Sequence, residues 1–148
     1  MIVSFKNLSP FAESSPRHEQ KRVTPILLVD DDPLQAYLRR AILERRLAGV
    51  ERASDAAQAF ILVQQPLFAA KLGLVIVGLH LPGVGGPAFV AELISRLPSV
   101  PVLVLGSYGE LAADYAGLNV RFMPRPVATD EMLAVCRQML NQQLAGAA

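Results

Sequence analysis

Four aliphatic residues, Ile26-Leu27-Leu28-Val29, run directly into three carboxylates and a proline, Asp30-Asp31-Asp32-Pro33. No other stretch limits the fold so tightly. An apolar run without polar alternation reads as a strand covered on both faces. Such a strand tolerates acids only where it emerges at a solvated rim. Asp32 is placed to cap a helix, with Pro33 at its first position, where a missing N–H costs nothing. Open α/β sheets carry their chemistry at the carboxyl ends of the strands, and these acids fall there. The plainer reading is a capping aspartate with two solvated neighbours.

The same alternation continues along the chain. Leu34, Tyr37, Leu38, Ala41 and Ile42 recur at helical spacing and are expected to face the core, with Arg39, Arg40, Glu44, Arg45 and Arg46 mostly opposite. Val50 to Ala53 reads as a short strand, with Ser54 as N-cap of a second helix that Pro66 terminates. Leu72 to Leu79 and Val100 to Leu105 are buried runs. Between them the turn Pro82-Gly83-Val84-Gly85-Gly86-Pro87 precedes a helix with Phe89, Val90, Leu93, Ile94 and Leu97 inward. A weaker helix is expected over Glu110 to Ala116, a strand over Val120 to Met123, and an extended turn at Pro124-Arg125-Pro126. Thr129 caps the last helix, whose apolar face is Met132, Leu133, Cys136, Met139 and Leu140. Five strands alternating with five helices mean a parallel sheet covered on both sides.

Three segments follow: a flexible leader over 1–23, rich in proline, serine and mixed charge, one domain over 24–142, and a short tail over 143–148. A net charge of +1 leaves no electrostatic footprint for nucleic acid or anionic lipid. No apolar run approaches the ~20 residues of a membrane span, and the amino terminus lacks the features of a signal peptide. The single cysteine excludes an internal disulfide. A cytoplasmic protein is expected.

Leu28-Val29-Asp30-Asp31-Asp32-Pro33 after the first strand, Leu81-Pro82-Gly83 after the third and Arg125-Pro126 after the fifth come in an order that resembles the receiver domain of two-component response regulators. The resemblance covers about Thr24 to Leu140. It implies a flavodoxin-like three-layer α/β sandwich with strand order 2-1-3-4-5. In that family an acidic pair holds Mg²⁺, an aspartate ending strand three accepts a phosphoryl group from a histidine kinase, and a Ser or Thr and a Lys contact it. Asp30 and Asp31 match the acidic pair, and Phe122 matches an aromatic switch position. The acceptor position is Gly78, the hydroxyl position Gly106 with Ser107 beside it, and the lysine position Arg125. Glycine offers no nucleophile, Arg is a planar fork where Lys is a point charge, and two carboxylates alone hold Mg²⁺ weakly if at all.

These departures imply a degenerate, stand-alone receiver without cofactor, acting as a phosphorylation-independent protein-interaction module. Its partner would be a histidine kinase, a response regulator or an output protein. With no output domain expected after the last helix, any effect passes through that partner. The face made by the fourth helix, fifth strand and fifth helix, with Arg125, Phe122, Tyr108 and Tyr115, would serve for contact or for a homodimer. The alternative is a small-ligand or anion sensor using the vacated pocket, with Arg125 as hook. His80 as metal ligand or phosphoryl acceptor lacks a second histidine or cysteine. Gly83, Gly85 and Gly86 fit no phosphate-loop spacing. An enzyme built on Asp30, Asp31, Ser107 and His80 lacks a nucleophile–base–orienter set.

Overall fold

The computed structural model describes residues 25–80, 85–106 and 110–147, with side chains described to Gln142. The expected leader, the turn Leu81-Pro82-Gly83 and the residues Ser107 and Tyr108 lie outside them.

β1 (Ile26–Val29) pairs with β2 (Val50–Ala53) on one side and β3 (Leu74–Val77) on the other; β4 (Val102–Leu105) and β5 (Val120–Met123) follow. The sheet is parallel throughout, in the order β2-β1-β3-β4-β5. The registers set Val29 beside both Ala53 and Val77, and Leu105 beside Met123, so the carboxyl ends of the strands finish level. Side chains alternate between two cores. Leu27, Val29, Val75, Val77, Val102 and Val104 meet α2 (Ala56–Val63) and α4 (Gly85–Arg96), with α3 (Pro66–Lys71) at their edge. Ile26, Leu28, Leu74, Ile76, Leu103 and Leu105 meet α1 (Pro33–Arg46) and α5 (Thr129–Ala147). The result is the three-layer α/β sandwich expected, with five α-helices among the described residues.

Local chemistry explains most of the boundaries. Asp32 caps α1, its Oδ1 accepting from the N–H groups of Leu34 and Gln35 at 3.0 and 3.1 Å, and Pro33 is the first helical residue. Asp55, not Ser54, caps α2, accepting from Gln58 N–H at 2.8 Å; Ser54 bonds the Gln58 side chain instead. The shorter hydroxyl is the weaker competitor for the cap when a carboxylate follows it. Pro66 ends one helix and also begins α3, because the missing N–H is tolerated at a first turn.

Three expectations are corrected. Between β4 and β5 there is one turn of 3₁₀ helix, Ala112–Tyr115, in place of a helix over 110–116. Leu111 N–H is already taken by Asp114 Oδ2 at 2.8 Å, and Gly117, at φ 85°, turns the chain back toward the sheet. α5 continues to Ala147, so 143–147 are helical and not a separate tail. The largest correction is the rotation of α1. Ala36 and Leu43 are buried against the sheet, whereas Leu34, Tyr37 and Leu38 are 66%, 72% and 49% exposed. The helix carries two apolar sets, and periodicity cannot rank them. A side chain as small as Ala36 lets the helix come close to the sheet on the face that also brings Arg39 to Asp30.

Among the described residues no helix is long and apolar enough to cross a membrane. Cys136 is fully buried, and burial pushes its thiol pKa up to about 12.

The rotation of α1 yields a direct test. Leu43→Ala should cost about 2–5 kcal/mol, as for a buried leucine, and Leu38→Ala within about 0.5 kcal/mol, as for an exposed one. Urea unfolding of the two variants checks this, and the reverse ranking would restore the face expected from periodicity.

Candidate functional site

Asp30 ends β1 and is wholly buried. A carboxylate there needs a partner, because an unpaired buried charge is strongly disfavoured. Its Oδ2 receives the Arg39 guanidinium of α1 at 2.7 Å, and its Oδ1 accepts the Asp32 N–H at 3.0 Å. Arg52 of β2 donates twice to the Asp30 carbonyl, from Nε at 3.2 Å and Nη2 at 2.9 Å. Side chain and backbone of Asp30 are thus each held by an arginine.

Asp31 points outward and pairs with His80, in the loop after β3. The His80 ring and its backbone N–H reach the two Asp31 oxygens at 2.8 and 3.1 Å. The other ring nitrogen, Nε2, lies 2.6 Å from Arg125 Nη1. A guanidinium can only donate, so Nε2 accepts and Nδ1 carries the proton given to Asp31. Arg125 also donates from Nη2 to the Gly78 carbonyl at 2.9 Å. Burial raises the Asp31 pKa, but the His80 hydrogen bonds and charge outweigh it and the carboxyl ends below its ordinary value. Burial and then the neighbouring Arg39 charge lower the Arg125 pKa, with Asp30, Asp31 and Glu110 opposing. It stays a cation, since guanidinium is effectively always charged.

The glycines decide what fits. A methyl group at Gly78 would stand 3.2 Å from Arg125 Nη2 and 3.4 Å from both Arg39 Nη1 and Asp30 Oδ2. Position 78 therefore looks onto Asp30 and onto the guanidiniums of Arg39 and Arg125 at nearly equal distances. A methyl group at Gly106 would run into the Phe122 ring, 2.8 Å from Cε1. Phe122 packs on Tyr115, ring centroids 5.6 Å apart, and the Tyr115 hydroxyl donates to Glu110 Oε2 at 2.8 Å. At Gly86, on α4, the same addition would sit 2.7 Å from both partners of that bond. Tyr115 is buried and Phe122 half-buried, so neither stands out as a contact anchor. Burial, then Glu110 as acceptor and as charge, then Asp114, push the Tyr115 hydroxyl well above its ordinary pKa.

Of the residues singled out in the sequence, Asp30, Asp31, Gly78, Gly106, Phe122 and Arg125 converge on this rim, with His80; Ser107 lies outside the described residues. Arg39 and Arg52 were not anticipated. The usable signal was the acids themselves: three carboxylates at a buried strand end demand cations. Arg39 shares the helix face of Ala36 and Leu43.

Residues 26–137 match the model of the response regulator receiver domain. The transcriptional regulatory protein BasR of Escherichia coli is 32% identical over 120 residues, 79% of this chain and 52% of that protein. The response regulator MprA of a Mycobacterium species is 28% identical over 120 residues, 79% of this chain and 50% of MprA. The chain thus spans about half the length of these curated relatives. The signal receiver domain of an HD domain-containing protein from Pseudomonas fluorescens superposes with a TM-score of 0.71 at 27% identity, covering 82% of this chain and 98% of that one. A CheY-like receiver domain protein from Methanospirillum hungatei reaches 0.71 at 21% identity, over 83% and 98%, a likeness of fold.

Two outcomes test the site. Arg39→Met removes the partner of a buried carboxylate and should cost about 3 kcal/mol in urea unfolding; a loss under ~1 kcal/mol would show that Asp30 is satisfied without it. For Tyr115 the folded pKa lies above the unfolded one, so the folded state favours the neutral hydroxyl. That contribution is complete below about pH 10 and lost as pH rises through the folded pKa. Absorbance at alkaline pH should show Tyr115 ionising only as the protein unfolds, and a Tyr115 that titrates within the intact fold would contradict its burial.

Proposed function

The chain belongs to the response regulator receiver domain family, and from that premise we propose that it serves two-component signalling without phosphorylation, as a protein-interaction module. The observation that carries this is at position 78. There is no side chain to accept a phosphoryl group, and the space before it is taken by the guanidiniums of Arg39 and Arg125. Three further features support the reading. Gly106 has no hydroxyl, and the Phe122 ring fills the room one would need. Arg125 stands at the lysine position but is spent on Gly78 and His80. The acidic pair is already engaged, Asp30 by the Arg39 guanidinium and Asp31 by hydrogen bonds from His80.

The donor set does not fit a divalent ion. Mg²⁺ requires near-octahedral oxygen ligation. Here both Asp30 oxygens are engaged, both Asp31 oxygens face His80, and the third carboxylate position is glycine. Among the described residues no group of three or more His, Cys, Asp or Glu is placed to hold a metal.

The module is read as a non-enzyme in the cytoplasm, with a signalling protein such as a histidine kinase, response regulator or output protein as partner. Of the face formed by the 3₁₀ turn, β5 and α5, only weak support remains as the contact surface, because Tyr115 and Phe122 are turned inward. One observation favours the anion-sensor alternative. Arg125 Nε is buried without a hydrogen-bond partner among the described residues, a donor that a small anion would satisfy. A thermal shift with inorganic phosphate or acetate separates the two readings, since a module of the first kind shows none.

Incubation with acetyl phosphate and Mg²⁺ should leave the intact mass unchanged; a stoichiometric hydroxylamine-labile adduct would overturn the reading. Millimolar Mg²⁺ should not move the unfolding midpoint of the wild type. In the double variant Arg39→Met/Gly78→Asp, which frees Asp30 and adds a third carboxylate, it should stabilise by about 1.4 kcal/mol at tenfold over Kd. A double variant that gains no more than wild type would show that position 78 does not serve the acidic pair.

A further inference from the structure

We propose that the basic pair Lys21-Arg22, just ahead of the domain, docks in an acidic cleft at the outer edge of β2, so that the chain covers part of its own sheet edge. This docking is independent of phosphotransfer, and either can fail without the other.

β2 is an edge strand, paired on one side only. At the amino ends of the strands its open side borders a cleft of about 450 Å³, lined by Pro25, Glu44, Gly49, Val50, Glu51 and Phe68. The pleat decides which wall each residue makes. Leu27, the register partner of Glu51, faces the core under α2 and α3, and Phe68 of α3 packs at the edge of that core. Glu51 therefore lies on the Phe68 side. Val50 is buried on the other side, toward α1, where Glu44 Oε2 accepts its N–H at 3.3 Å. The cleft thus sets Pro25, Val50 and Phe68 between two glutamates, both exposed. Glu44 has one long contact, to Arg40 Nε at 3.4 Å, and among the described residues no cation meets Glu51. The lining itself contains no basic residue.

Connectivity and charge say what covers the cleft. Pro25 is one of its walls and also the residue at which the preceding chain joins the domain. Ahead of it runs the basic stretch Arg17-His18-Glu19-Gln20-Lys21-Arg22, with only Val23 and Thr24 between Arg22 and Pro25. At no more than ~3.6 Å per residue, three steps hold the Arg22 Cα within about 11 Å of the Pro25 Cα, whatever path the chain takes. Its guanidinium and the Lys21 ammonium are thereby kept near two carboxylates of opposite charge, at an effective concentration on the order of millimolar. A separate basic partner would meet the same carboxylates without that tether. Val23, next to Arg22, brings an apolar side chain to Phe68 and Val50. Each contact is an exposed ion pair, weak by itself, so the docking is an equilibrium that salt shifts toward the open form. When docked, the segment closes the amino end of β2 to edge pairing with another chain.

The test is limited trypsin digestion of the full chain, read by mass at the bonds after Arg17, Lys21 and Arg22. Docking shields the last two and leaves the first as an internal reference. Glu51→Lys, at an exposed position, should speed cleavage after Lys21 and Arg22 by about two- to fivefold, the weight of one exposed ion pair. Cleavage after Arg17 should not change. Glu51→Gln, the milder substitution, should act in the same direction, and so should added salt on the wild type. A charge swap tests the pairing itself: the bond after Lys21 should be cut more slowly in Arg22→Glu/Glu51→Lys than in Arg22→Glu alone. Four results overturn the proposal. Rates after Lys21 and Arg22 that ignore both Glu51 variants would show that this segment does not occupy the cleft. Equal acceleration at all three bonds would be a general effect on digestion. A swap without protection would remove charge pairing as the cause. Protection that grows with protein concentration would assign the cleft to the basic segment of a second copy.

Discussion

The ion pair between Asp30 and Arg39, 2.7 Å long and with the carboxylate fully buried, is the contact on which the upper rim of this domain depends. A charge so placed must be met by another, and here the answer comes from the chain's own first helix. Its consequences spread outward. Because Arg39 must reach inward, α1 is rotated so that Ala36 and Leu43 form its buried face. Asp30 is met by Arg39 from within the chain, and the two Arg52 bonds to its carbonyl hold the end of β1.

Glycine at three positions makes the rest of the arrangement possible. Gly78 leaves room for two guanidiniums, Gly106 for the Phe122 ring and Gly86 for the Tyr115–Glu110 hydrogen bond. In each case the missing side chain is replaced by a neighbour that arrives from another element. The rim is therefore packed, with Arg125 linking His80 to the end of β3 and the aromatic pair closing the side by β5.

The same rotation that supplies the cation also exposes Leu34, Tyr37 and Leu38. Rim and surface are thus two results of one geometric choice, and a partner bound on α1 would sit on the helix that carries Arg39. The link is physical: tilting or turning α1 would move the Asp30–Arg39 contact directly, without a relay through the core.

Much of the fold was legible because its causes are local. Continuous aliphatic runs at Ile26–Val29, Leu74–Val77 and Val102–Leu105, each ending near turn or capping residues, identify buried parallel strands. Asp32 and Pro33 announce the start of α1 in chemistry that acts over three residues. The motif order ties Asp30, Asp31, Gly78, Gly106 and Arg125 to strand ends, which in a parallel sheet share one rim. What needed the folded chain was every choice between equivalent local options. α1 has two apolar faces, and helical periodicity gives both the same weight; the small Ala36 and the need of Asp30 for a cation selected one. The segment 110–116 has helix formers, yet Asp114 and Gly117 shape it into a single 3₁₀ turn before β5. Tyr115, expected on or near a contact face or else half-buried, is buried because Gly86, distant in sequence, leaves room for its bond to Glu110. Local sequence set which segments became strands and helices, since that depends on neighbours along the chain; the tertiary structure decided which way each helix faced and which cation met Asp30, since those depend on neighbours in space.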